Sequence, residues 1–97
     1  MLAIDNVAVG DGRLATVTHD IEQRGIVIAG IAVDLNDLPV DLRGRFESSA
    51  KRFRAADADL VAQSRARDAV TRVVREVLAR DRFLHAAVKE RIRARGH

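Results

Sequence analysis

The residues whose types and spacing come nearest to chemistry are basic. Arg72, Arg75, Arg82, Lys89 and Arg93 follow one another at intervals of three, seven, seven and four. Wound on a helix, they lie roughly opposite the apolar set Val70, Val74, Val77, Leu84, Val88 and Ile92. Arg75, Arg82 and Lys89 form a ridge almost parallel to the axis, about 20 Å long on an unbroken helix at about 1.5 Å per residue. Such a ridge can neutralise several phosphates and release their counterions. It can equally be the wet side of a packed helix. Arg72, Glu76 and Arg80 stand four apart and can pair along the surface, each pair contributing a few tenths of a kcal/mol.

Other chemistry finds little material. The chain has no cysteine, which excludes disulfides, thiolate metal sites and a thiol nucleophile. Its histidines are His19, His85 and His97. A zinc site takes three or four ligands, typically two of them close in sequence, and the neighbours His19 and Asp20 would point to opposite faces of a strand. His19 reads as a half-exposed strand residue and His85 as one on a helix flank. Ser48, Ser49 and Ser64 fall in helical patterns with no strained elbow to present a nucleophile. Asp34, Asp37 and Asp41 surround a helix start, where acids complement the dipole. The GDG of residues 10–12 is too short to cradle phosphate and leads into a strand. We therefore expect no catalytic, metal or cofactor residues, and a protein that is not an enzyme.

Ninety-seven residues make one domain, with the modest core that small size allows. No apolar run approaches the roughly 18 residues that span a bilayer, and the opening MLAIDNVAVG lacks the basic start of a signal peptide. An integral membrane segment is not expected, and the cytoplasm is the default location. Charge is segregated. Residues 1–40 hold two arginines and six acids, whereas residues 41–97 hold fifteen basic residues and eight acids. That asymmetry suits an acidic partner for the basic half, or attraction between the halves.

The elements that position these residues change character near residue 36. LAIDNVAV and RLATVT flank GDG as a hairpin, with Thr16, Val17 and Thr18 favouring extended backbone. A rival reading winds residues 13–24 into a helix ended by Gly25. After a second turn at HDIEQRG, IVIAGIAV reads as a third strand. Its apolar residues fall on both faces, Ile26, Ile28 and Ala32 on one and Val27, Ile31 and Val33 on the other. Asn36 or Asp37 can cap a helix with Pro39 in its first turn. Leu42, Phe46, Ala50 and Phe53 then mark one helical stripe. Asp57 or Asp59 can cap a second helix carrying Val70, Val73, Val74, Val77 and Leu78. Asp81 either caps a third helix or sits wet on one long helix.

The reading is an α+β fold: a three-stranded antiparallel β-meander over residues 1–35, followed by two or three α-helices over 39–95 packed on one sheet face. The strand and AVTRVVREVL helix resemble the stomatin/prohibitin (SPFH) domain over residues 16–35 and 66–92. The resemblance implies assembly into a scaffold and carries no residue assignments. A strand apolar on both faces needs two covers, and so short a chain supplies only one. We therefore expect self-association, a dimer first, through Val27, Ile31 and Val33. Arg72, Arg75, Arg82, Lys89 and Arg93 would contact an acidic protein, or alternatively the phosphates of a nucleic acid.

Overall fold

The computed structural model describes residues 2–8 and 13–95; the GDG turn and His97 lie outside them. Four strands come first: β1 (Leu2–Ala8), β2 (Leu14–Asp20), β3 (Gly25–Ile28) and β4 (Ile31–Asp34). A single 3₁₀ turn, Leu35–Asp37, leads to α1 (Val40–Ala55), α2 (Leu60–Arg80) and α3 (Arg82–Arg95). The strands form one antiparallel meander in the order β1-β2-β3-β4. The helices cover one face of it, so the fold is α+β as expected.

Residues 13–24 are not a helix. β-branched Thr16, Val17 and Thr18 hold β2 extended, and it pairs with a strand on each side. Its alternation is clean: Ala15, Val17 and His19 are buried, while Leu14 and Thr16 are exposed.

The third strand expected from IVIAGIAV is two strands. Ala29 and Gly30 have φ of +51° and +83°, the two positive values that a tight hairpin turn of the primed type requires. The chain reverses there, pairing Ile28 with Ile31, Val27 with Ala32 and Ile26 with Val33. Facing partners in a sheet share a side. Ile31 and Val33 therefore join Ile26 and Ile28 on the core side, leaving Val27 and Ala32 on the other. The expected two-faced strand was an artefact of counting alternate residues straight through a two-residue turn, which inverts the parity.

The helices follow from their caps and stripes. Asp34 caps the 3₁₀ turn, its Oδ1 accepting from the Asn36 N–H at 2.8 Å. α1 has no side-chain cap: Pro39 itself occupies that position, so neither Asn36 nor Asp37 serves as expected. Asp59 caps α2 by accepting from the Val61 and Ala62 N–H groups, each at 3.1 Å. Asp81 ends α2 and starts α3. Its N–H donates to the Val77 carbonyl at 2.9 Å, and its Oδ1 accepts from the Leu84 N–H at 3.0 Å.

Leu42, Phe46, Ala50 and Phe53 of α1 and Val70, Val73, Val74, Val77 and Leu78 of α2 are buried. All but Phe53, whose ring lies under the Arg67 guanidinium, belong to one cluster with Val7, Val17, Ile26, Ile28 and Leu35. α3 contributes fully buried Val88, with Leu84 and Ile92 half-buried beside it. Each large aliphatic side chain in this layer contributes about 1.5–3 kcal/mol. Most of the sum is offset by the entropy of ordering the chain.

Candidate functional site

The helical layer carries the charge. α1 holds five basic and two acidic residues, α2 five and two, and α3 five and one. The straight ridge expected across residues 72–93 is broken, because Asp81 is extended, with φ −111° and ψ 94°. Arg72 and Arg75 are exposed on α2. Arg82 and Arg93 are exposed on α3, and Lys89 is half-buried there. Arg93 is engaged with Glu90 at 3.3 Å. The five residues thus form two groups on two helices.

Part of the charge joins α1 to α2. Arg80 forms a two-pronged contact with Asp41, Nη1 to Oδ1 at 3.3 Å and Nη2 to Oδ2 at 3.2 Å. Arg45 donates to Glu76 at 2.9 Å, and Arg80 lies 3.6 Å from the same carboxylate. The hydrogen bond from Arg80 holds the Asp41 carboxyl below its ordinary range, and that from Arg45 does the same for Glu76. These groups are half exposed, so the network orients the helices more than it stabilises them.

Beside this network lies a groove of about 310 Å³ between the two helices. Arg45, Ser48 and Arg52 reach it from one side of α1, and Ala69, Arg72 and Val73 from α2. Gly44 opens its wall: nothing lies within 4 Å of where a Cβ would stand. Arg52 and Arg72 make no ion pair among the described residues. The spacing of Arg45, Ser48 and Arg52, three then four, is plain in the sequence. What the sequence hides is that Arg72 faces them.

His19 is buried, not half-exposed. Its ring meets Phe46 edge-on, centroids 5.1 Å apart, and its Nδ1 lies 3.1 Å from Nη1 of Arg54. A guanidinium only donates, so Nδ1 accepts and the imidazole proton resides on Nε2. With its lone pair engaged and Nε2 protonated, the ring can take a proton only by giving up the contact with Arg54. Burial, then the Arg54 charge, lowers its pKa from 6.5. Among the described residues no three His, Cys, Asp or Glu side chains cluster to hold a metal ion.

The three residues expected to drive self-association are divided. Ile31 and Val33 pack against the core, half-buried. Val27 lies on the opposite face of the sheet, where it continues a row from Ala3 through Thr18 to Ala32. Asn6 with Thr16, and Ala8 with Leu14, lie on the same face, as do Asp20 and Asp34, which flank Gly25 at one end of it and accept from the N–H groups of their own turns. The eight side chains away from that end are uncharged, and Leu14 is 58% exposed.

Set against known protein families, curated proteins and solved structures, the chain matches none of them. No helix among the described residues is long and apolar enough to cross a membrane.

Proposed function

We propose that the protein is a non-enzymatic interaction module that pairs with itself through the open sheet face and offers its helical layer to an acidic partner. The observation that carries this reading is the uncharged stretch of that face from Ala3 and Ala8 across to Val27 and Ala32, with its only described acids, Asp20 and Asp34, at one end. An antiparallel sheet with one wet side ordinarily alternates apolar and polar residues. Here the wet side, apart from Asp20 and Asp34 at one end, is made of alanine, threonine, asparagine, valine and leucine, in a chain with 32% charged residues. An uncharged stretch of sheet surface suits face-to-face stacking on a second copy.

The face is small. Four strands about 4.8 Å apart, two of seven residues and two of four, thus about 23 Å and about 13 Å long, offer a contact no larger than the low end of specific interfaces. The pairing is accordingly weak, with dissociation in the micromolar range. The acidic partner would meet the exposed arginines of the helical layer, which would chiefly speed encounter and fix orientation. A dilution series followed by amide NMR tests the pairing. The expected shifts fall on Thr16, Thr18, Val27 and Ala32. Shifts confined to the helices, or none over the micromolar range, would remove it.

A further inference from the structure

We propose that the groove between α1 and α2 takes a phosphate monoester, presented on a side chain of a protein partner. The inference rests on the reading of the helical layer as the surface for an acidic partner, and names the chemistry that one spot on it would select.

Three arginines line that spot from two helices: Arg45 and Arg52 from α1 and Arg72 from α2. Arg45 already gives one Nη1 contact to Glu76 at 2.9 Å, which fixes its plane and leaves further N–H donors of its fork unspent. Arg52 and Arg72 have no carboxylate within ion-pair distance among the described residues. The groove therefore holds positive charge that the chain itself does not neutralise.

The size fits a compact group. About 310 Å³ corresponds to roughly ten water molecules at about 30 Å³ each, enough for a phosphoryl group and its linking atoms. The exposed Ser48 hydroxyl adds a donor beside the arginines, and the missing side chain at Gly44 leaves the approach open. Ala69 and Val73 line the α2 side without polar side chains, and lower polarity there strengthens each charged contact.

A phosphate monoester carries close to two negative charges near neutral pH and three terminal oxygens, which matches arginine forks from two helices. A carboxylate brings one charge and two oxygens, and would use only part of the set. A nucleic-acid backbone offers singly charged diesters in a row. The basic row that would track them is interrupted at Asp81, whereas the groove is one concentrated spot.

The test is an amide NMR titration of the whole chain with three probes: an acidic phosphoserine peptide, the same peptide without phosphate, and a generic DNA duplex. The phosphopeptide should shift Gly44, Ser48 and Arg72 and bind at least tenfold tighter than its unmodified form. Arg52→Ala and Arg72→Ala should each remove most of that preference, Arg72→Lys should restore part of it, and Arg75→Ala should leave it intact. All three side chains are exposed, and spectra with the dispersion of the parent confirm that each variant is folded.

The proposal is overturned if phosphorylation brings no preference, if the preference survives both alanine variants, or if the duplex shifts the groove at lower concentration than the phosphopeptide. Equal binding of both peptides to the helices would remove the phosphate site and leave the acidic-partner surface standing. Binding of neither peptide at low salt would remove both.

Discussion

An imidazole is defined by what stands beside it, and His19 stands beside an arginine. Asp20, Arg24, Glu47 and Lys51 are its other charged neighbours. Because folding lowers its proton affinity, its contribution to stability is fully present above the unfolded value near 6.5. It is lost as pH falls below that value toward the lowered folded one. We expect the urea midpoint to drop between pH 7 and 5, and the drop to shrink in His19→Gln, which keeps an acceptor for Arg54 without a proton to gain. An equal drop in both proteins would place the effect elsewhere. Asp41 and Glu76 act in a different window. Their folded values are depressed, so their contribution is present above about 4 and is lost only as pH falls further. The burial of His19 was legible in part, since it shares the parity of Ala15 and Val17 on β2. Its partner was not, because nothing local to residue 19 announces a guanidinium thirty-five residues away.

Elements here are delimited by single residues, and some of those announce themselves. Asp59 and Asp81 are acids placed just ahead of apolar periodic runs, so each was one of two readings the sequence offered, Asp59 against Asp57 and a cap at Asp81 against one long helix. Asp81→Ala removes the acceptor of the Leu84 N–H and should cost about 1 kcal/mol, read from the urea midpoint; an unchanged midpoint would show that the joint is held by packing alone. The Ala29–Gly30 turn was harder to see, because it lacks the Asn or Asp that usually leads such a turn and lies inside an apolar run. Gly30→Ala tests it. At φ +83° an alanine is strained, and its Cβ would stand 3.0 Å from Arg95 Nη2 and 3.1 Å from Arg91 Nη1. Those side-chain ends can move aside, so the backbone term of about 1–2 kcal/mol should dominate the loss. A neutral result would mean that the hairpin tolerates another turn.

At the scale of the molecule, charge and apolar surface are sorted by layer. The sorting of charge was legible from the two halves of the chain, because the helices and the sheet occupy separate stretches of sequence. The location of the open face was not. One unrecognised turn inverted the parity of β4 and moved Ile31 and Val33 from the surface to the core. The groove between α1 and α2 was hidden for a related reason: periodicity finds the face of a helix but not the helix opposite.

The proposed pairing requires that the uncharged stretch around Val27 be a contact between copies. Its most direct test is the mass in solution by light scattering behind a sizing column, at tens of micromolar, for the parent and for Val27→Lys and Ala32→Lys. We predict a parent mass approaching twice that of the chain, and monomers of unchanged circular dichroism for both variants. A parent that runs as a strict monomer, or variants that remain paired, would contradict it.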